Sequence, residues 1–498
     1  MERRAGLIPD PVLLFLWLTL AVVVGSALAA GAGLEAPHPA SGEPVRAESL
    51  LAGRYVRRLL TEMPQIFTAF PPFGSVLTIV IGLGIAERSG LIAGSLGDLL
   101  RRAPPPFLPL AVVFAGILSS IAVDAGFLVL PPLAAALFAT AGRHPVAGIA
   151  AAYAGVSGGF SANLLITGLD PLLAGLTEAA AALLVPGYTV LATANWFLML
   201  TFVPVLAIAG ALVTTRLVEP RLGRWEAPPN LDGLALPAPD PRDRRALART
   251  GWAALALIAG LALLVLPEGA VLRDPATGTL APLFQSVVAL IALSLAILGI
   301  VYGRARGTIR NSTDAVRMAE RGLADMAIYI LLAFVAAHFL ALFAWSNLGT
   351  LLAIGGGALL RASGLGPVPL LLGLILLCGL INLFMTSASA KWALLAPVFV
   401  PMFMGVGLSP ELTQAAYRVG DSATNIIAPT MVYVPIILAV AMRYAPGFGL
   451  GQLMATMLPY ALVFMPLMSG ILLLFLALDI PLGPSAPPSV SLAPPTRG

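Results

Sequence analysis

Between Tyr417 and Pro435 the chain reads YRVGDSATNIIAPTMVYVP, and this stretch is the best equipped for chemistry. Arg418 and Asp421 stand one helical turn apart. Ser422, Thr424 and Asn425 follow, then Pro429 and Pro435, in apolar surroundings. An ionised group at membrane depth costs about 2.5–3.5 kcal/mol on insertion scales, so a chain keeps one there only when it is paired, hydrated or used. Hydroxyls, an amide and prolines beside charges predict a broken helix whose freed backbone groups line a cavity. Arg418 either neutralises Asp421 at i, i+3 or clamps a substrate carboxylate with its planar fork. Asp421 either serves that pair or carries a coupling ion, as a titrating carboxyl or a sodium ligand.

Two further stretches offer comparable groups. GVSGGFSANLLITGLDP (155–171) carries Ser157, Ser161, Asn163 and Asp170, and its glycines and serines do not favour continuous helix. Asp170 is a second coupling candidate or a turn aspartate before Pro171. Asn163 and Asn425, with Ser157, Ser161, Ser422 and Thr424, supply hard oxygens for Na+, or cap helix ends and glue helices together. TSASAKWALLAPVFVPMF (386–403) contains the only lysine, Lys391, beside Trp392. The indole can stack on an aryl ring or pack inside; the lysine can hold an anion or snorkel. Asp124 is an isolated charge in SSIAVDAGF, Glu87-Arg88 reads as a self-neutralising kink, and His338 reads as a packing residue.

The elements that must position these groups are membrane helices. Of 498 residues, 59% are hydrophobic and only 10% charged, against about 25% charged in soluble domains. The apolar runs are of spanning length and do not alternate, which predicts an all-α polytopic membrane protein and not a barrel. The net charge of +4 comes from arginine-rich loops; it reports topology and does not suggest nucleic acid. Residues 1–10 are expected in the cytoplasm, and 11–33 as an uncleaved first helix, a signal peptide being the competing reading. Arginines place the loop 216–249, and that at 304–321, in the cytoplasm. One transmembrane unit occupies 11–480, followed by a disordered tail at 481–498. Cys378 lies in an apolar run and is a packing residue.

Sliding the chain on itself by about 265 residues sets Pro145 on Pro410, Gly155 on Gly420 and Ser157 on Ser422. The repeat predicts two re-entrant hairpins, about 119–142 and 386–406, each followed by a discontinuous helix, the second about 411–444. Paired broken segments point to an inverted-repeat, ion-transporter-like core with its site near the midplane.

GVSGGFSANLLITGLDPLLAGLTEAA, SASAKWALLAPVFVPMF and RVGDSATNIIAP resemble the p-aminobenzoyl-glutamate transporter (AbgT) family of bacterial inner-membrane transporters, from about residue 10 to 480. The resemblance implies a homodimer, each subunit with about nine spans and two hairpins. It also implies handling of p-aminobenzoyl-glutamate, a folate breakdown product, or export of sulfonamides. The positions that match the family's functional residues are Asp170, Ser389, Trp392, Pro410, Arg418, Asp421 and Pro429. Ser389, Trp392, Pro410, Arg418 and Pro429 are therefore assigned to substrate; Asp170, Asp421, Asn163, Asn425, Ser157 and Ser422 are assigned to ion coupling, by H+ or Na+. No cofactor is expected.

Other classes fit less well. The chain has no GxxxxGK[ST] and no HExxH, and Arg418 replaces the first glycine of a GxGD protease motif. A channel needs a continuous polar path and usually symmetric rings, whereas dissimilar hairpins suit alternating access. Expected partners are an aromatic carboxylate, membrane lipid and a second copy of the chain.

Overall fold

The computed structural model describes residues 10–38, 42–225 and 241–491, apart from the side chains of 122–125. Asp124, a charge singled out in the sequence, therefore has its side chain outside the described residues, as do residues 1–9 of the N-terminal segment and 226–240 of the arginine-rich loop.

The chain is almost entirely helical. From the N-terminus run α1 (Pro11–Gly31), a ribbon of β1 (Glu35–Pro37) and β2 (Pro44–Arg46), α2 (Gly53–Thr68), α3 (Pro71–Ser89) and α4 (Leu91–Arg102). Next come α5 (Leu108–Ser119), α6 (Val123–Thr140), α7 (Pro145–Tyr153), α8 (Leu169–Ala181), α9 (Trp196–Val213) and the one-turn α10 (Glu219–Leu222). The second half holds α11 (Pro241–Val265), α12 (Ala281–Gln285), α13 (Val287–Arg306), α14 (Ser312–Ala324), α15 (Ala327–Trp345) and α16 (Leu348–Ala362). It closes with α17 (Pro367–Asn382), α18 (Ala388–Met404), α19 (Pro410–Asn425), α20 (Val434–Tyr444) and α21 (Leu450–Ala477). Among the described residues, seven helices are long and apolar enough to cross a membrane. The others near the site are shorter apolar helices, as hairpin limbs and half-helices would be.

Local chemistry sets the boundaries. Asp10 Oδ1 accepts the Val12 amide at 2.8 Å and Pro11 opens α1, satisfying an orphan donor where proline's missing N–H costs nothing. Gly90 separates α3 from α4 at φ +90°, a left-handed conformation that suits glycine. Glu87-Arg88 lies in the last turn of α3 just before this break, and Arg88 pairs with Asp325 at the end of α14.

The internal repeat is visible in the helix starts. Val123, Pro145 and Leu169 are each followed 265 residues later by Ala388, Pro410 and Val434, the starts of α18, α19 and α20. Gly155 and Gly420, matched in sequence, make matching contacts. A Cβ on Gly155 would meet Val113 O at 2.4 Å in α5, and a Cβ on Gly420 would meet Ile375 O at 2.3 Å in α17.

The hairpin windows need correction. Residues 119–142 hold a 3-10 turn at Ser120–Ala122 and a single helix, α6, which the turn joins to α5. Residues 386–406 likewise hold a single helix, α18, preceded in the chain by α17. The preceding helices α5 and α17 are apolar and carry no charge, so in sequence they read as ordinary spans. The loop expected at 216–249 is helical to Leu222 and again from Pro241. Asp170 and Pro171 lie in the first turn of α8, and the unwound backbone comes earlier, at 159–168. The tail expected to be disordered from 481 folds back through Ser491. Leu482 O accepts the Phe197 amide at 2.9 Å, and Pro488 O accepts that of Ser409 at 3.1 Å. Leu482 and Ala486 are buried, which gives this proline-rich strap an apolar reason to dock.

α1 and α2 pack against α15, α13 and α14 against α3, and α11 against α13, while α19 lies among α8, α17, α18 and α21. Every residue of α19 is buried, so each of its polar groups must find a partner inside the protein.

Candidate functional site

Arg418 and Asp421 do not pair with each other. Arg418 Nη1 lies 2.6 Å from Asp170 Oδ1, across the two halves of the repeat, with both side chains at most 3% exposed. Asp421 Oδ1 lies 2.6 Å from Lys391 Nζ, with side chains 0% and 2% exposed. Successive turns of α19 thus hold two separate buried ion pairs. Each charge in such a pair depends on its partner, because an uncompensated buried charge costs several kcal/mol.

The Arg418–Asp170 contact is close but lacks hydrogen-bond alignment. Asp170 Oδ1 and the Arg418 Nε and Nη2 groups are buried with no hydrogen-bonding partner. The other oxygen, Asp170 Oδ2, is fully used, accepting the Thr167 amide at 2.6 Å and its hydroxyl at 2.8 Å. The turn reading of Asp170 is therefore realised on Oδ2, while Oδ1 meets a charge partner the sequence did not indicate. Arg418 keeps two donors for another group, which is the property a carboxylate clamp requires.

The second pair is built on a hub the sequence reading passed over. Lys391 Nζ donates to Asn382 Oδ1, and to Met385 O at 3.2 Å. Asn382 Nδ2 approaches Asp421 O (2.8 Å), Thr424 Oγ1 (2.9 Å) and Asn425 Oδ1 (2.8 Å). A polar residue ending the apolar run LLLGLILLCGLIN was the available signal for Asn382, and Lys391's being the only lysine was the signal for its role.

The two asparagines expected to hold sodium occupy equivalent places. Asn163 Nδ2 donates to Ser120 Oγ at 2.7 Å, tying the first break to the 3-10 turn between α5 and α6. Asn425 and Asn382, 262 residues further on in each case, tie the second break to the end of α17. Ser422 Oγ donates to Ser161 Oγ at 2.6 Å and joins the two broken regions directly. Ser157 Oγ is buried without a hydrogen-bonding partner. Among the described residues no group of three or more His, Cys, Asp or Glu side chains could hold a metal ion.

Other assigned residues stand differently. Trp392, expected to stack on a ligand ring, is fully buried; it stacks on Tyr417 with centroids 4.5 Å apart, and its Nε1 donates to Thr177 Oγ1 at 2.9 Å. Thr177 continues to Gln414 Oε1 at 2.6 Å, and Gln414 Nε2 to Asn195 Oδ1 at 2.7 Å, a chain the sequence reading missed. Pro410 is the first residue of α19 behind the Ser409 cap, a position where proline is favoured. Pro429 is exposed in the turn between α19 and α20, away from the two pairs' buried surroundings.

Ser389 borders a cavity of about 320 Å³ between α3, the α14–α15 junction, the 3-10 turn at Ser120–Ala122 and the unwound 159–168 segment. Gly168 and Leu169, which line it, directly precede Asp170. An apolar cavity beside buried charges and interrupted helices can bind an organic anion and expose it alternately.

Comparison with known proteins agrees with this architecture. A family model described as the AbgT putative transporter family matches residues 1–490. A curated relative, the p-aminobenzoyl-glutamate transport protein of Escherichia coli strain K12, is 37% identical over 493 residues, covering 99% of this chain and 96% of the relative. The crystal structure of the Alcanivorax borkumensis YdaH transporter superposes with TM-score 0.91 at 46% identity, covering 96% of this chain and 100% of that one. Neisseria gonorrhoeae MtrF, described with a class of antimetabolite efflux pumps, superposes with TM-score 0.91 at 40% identity, covering 97% and 98%.

Proposed function

We propose that this chain, which belongs to the AbgT family, is a secondary transporter of aromatic organic anions of the p-aminobenzoyl-glutamate class, working in the bacterial inner membrane by ion-coupled alternating access. The observation that carries the reading is the Arg418–Asp170 pair, which spans both halves of the repeat and leaves two buried guanidinium donors without a partner. A substrate carboxylate arriving there would take the free donors and weaken the hold of Asp170, so substrate binding and the packing of the two halves are linked.

Coupling is assigned to Asp421 and Asp170. A proton or sodium ion on Asp421 competes with Lys391 Nζ, 2.6 Å away. Neutralising the carboxylate frees the hub at Asn382 and with it the second hairpin's grip on α19. If sodium is the ion, Asn163 and Asn425, with Ser157 and Ser422, supply the remaining hard oxygens. Each hairpin enters and leaves on one side in this scheme. The subunit works as a homodimer, a state that suits α11, an apolar helix burying only Ala246 and Thr250 within the subunit.

The test is transport by the purified protein in vesicles of both orientations, with p-aminobenzoyl-glutamate and a sulfonamide, under separately imposed proton and sodium gradients. Gradient-dependent accumulation of p-aminobenzoyl-glutamate supports the reading. Proton-dependent extrusion of the sulfonamide alone would favour the efflux activity described for the Neisseria relative. No gradient-dependent movement of either compound would overturn both.

A further inference from the structure

Glu411 stands in the first turn of α19 and is 3% exposed. Its carboxyl meets one donor from outside that turn, the hydroxyl of the partly buried Tyr188, at 3.2 and 3.0 Å from the two oxygens. The other ionisable groups on the helices packed against α19 are Asp170 and Glu178 of α8, Cys378 of α17, Lys391 of α18 and Tyr460 of α21. The two cations buried here, Lys391 and Arg418, are held by Asp421 and Asp170. Among the described residues no cation therefore stands on Glu411. Burying a carboxylate without a counter-ion is costly, and a proton removes the cost.

The loop between α8 and α9 closes over this carboxyl. Tyr188 bonds its side chain, and Asn195 Nδ2 donates to Glu411 O at 2.9 Å. Asn195 in turn accepts from Gln414, and Thr177 carries the chain on to Trp392. Glu178, the other acid beside the loop, accepts the Val190 amide at 2.9 Å and is partly exposed, so water already reaches it. With the arginine-rich loop after α9 in the cytoplasm, the loop before α9 lies on the outer side.

We infer that Glu411 is a proton-binding site of the outer side: its carboxyl holds a proton while the loop at 185–195 is closed, and gives it to water when the loop opens. Release breaks the carboxyl O–H bond, leaves the electron pair on Glu411 and passes the proton to outside water, so no redox partner is needed. The ionised carboxylate then favours the open, hydrated arrangement, and reprotonation favours closure. This rests on the alternating-access reading above. It adds a third carboxyl to Asp170 and Asp421, one turn inside the outer loop and apart from both ion pairs.

The experiment reads loop opening with a buried thiol. Thr193 is fully buried in the loop and its hydroxyl has no hydrogen-bonding partner, whereas Thr189 is exposed. Thr193→Cys and Thr189→Cys, each in a Cys378→Ala background of the purified full chain, are labelled with a maleimide across pH. The exposed thiol corrects for the ordinary pH response of the reagent. The ratio of buried to exposed labelling should rise several-fold from mildly acidic to mildly alkaline pH. Adding Glu411→Gln, which keeps an acceptor for Tyr188, should hold the ratio low and flat, and Glu178→Gln should leave the rise intact. In infrared spectra at neutral pH, a protonated-carboxyl band should be missing in Glu411→Gln and should move to higher frequency in Tyr188→Phe, where its hydrogen bond is lost. A flat ratio without Glu411→Gln, an equal rise with it, or loss of the rise in Glu178→Gln would overturn the assignment. If Glu411→Gln does not fold, the Tyr188→Phe spectrum decides, and an unmoved band overturns the assignment. A Glu411-dependent rise in a protein that moves no p-aminobenzoyl-glutamate would overturn the transport reading and leave the proton site standing. Gradient-driven transport with a flat ratio would do the reverse.

Discussion

Arg418 reaches past Asp421, one turn away on its own helix, to meet Asp170 from the other half of the chain at 2.6 Å. Asp421 is free of it because Lys391 has taken its carboxylate. The stability of the charges therefore depends on partners that adjacency in sequence does not reveal.

The first consequence concerns Asp170. Asp170→Asn leaves Arg418 buried with no anion, and breaking a buried pair from one side costs about 3–5 kcal/mol. Its thermal unfolding in detergent should fall well below wild type. The double change Arg418→Met with Asp170→Asn removes both charges while keeping a side-chain oxygen to accept from Thr167, and should recover most of that stability while abolishing transport. A single mutant as stable as wild type would show that the pair is not the compensation Arg418 relies on.

Asp421→Asn should spare Arg418 and instead strand Lys391. Adding Lys391→Met should restore folding, because no buried charge remains. In vesicles the double mutant should exchange substrate but not accumulate it against a gradient. If it concentrates substrate as wild type does, the coupling ion binds elsewhere and Asp170 becomes the leading alternative.

Trp392→Phe separates packing from ligand contact. Phenylalanine can still stack on Tyr417, but the hydrogen bond to Thr177 is lost, worth about 0.5–1.5 kcal/mol of stability. Substrate affinity, measured by titration calorimetry, should stay within about twofold. A large fall in affinity with unchanged melting would return the indole to the binding site.

Gly420→Ala tests the close approach of α17 and α19. Its methyl would sit 2.3 Å from Ile375 O, and overpacking of this kind typically costs about 1–3 kcal/mol. Gly155→Ala should behave alike, since its methyl would meet Val113 O at 2.4 Å. Gly373→Ala in α17 meets nothing within 4 Å and serves as the neutral control. Equal melting temperatures for Gly420→Ala and Gly373→Ala would mean the helices are not held at this distance.

The strap at 481–491 should matter to stability. A chain ending at Ile480 loses the backbone bonds from Phe197 and Ser409 and uncovers the site of Leu482; one ending at Ser491 keeps them. The shorter chain should melt several degrees lower, and identical melting would show that the strap is passive.

Membrane class, helical architecture, the broken region after Asn425 and the repeat were all legible in the sequence. Each rests on local signals: apolar length, clustered glycine and proline, and an offset that carries Pro145 to Pro410 and Gly155 to Gly420. Arg418, Asp421 and Asp170 were likewise identifiable as charges that must find partners in apolar surroundings. The pairing of those charges was not legible. At i, i+3 Arg418 and Asp421 share a helix face, and only the packing of α8 and α18 against α19 decides that each finds a different counter-ion. The same holds for Asn382, whose one amide links α17 to three groups of α19, and for Trp392, whose burial follows from Tyr417 and Thr177 closing on it. The tail shows the limit in the opposite direction. Proline-rich composition argues for disorder when residues 481–491 are taken alone, but the open backbone groups of Phe197 and Ser409 and an apolar seat for Leu482 fold them down. Local sequence determines which residues must be satisfied inside a membrane protein; only the tertiary structure, by bringing distant segments within 3 Å, decides what satisfies them.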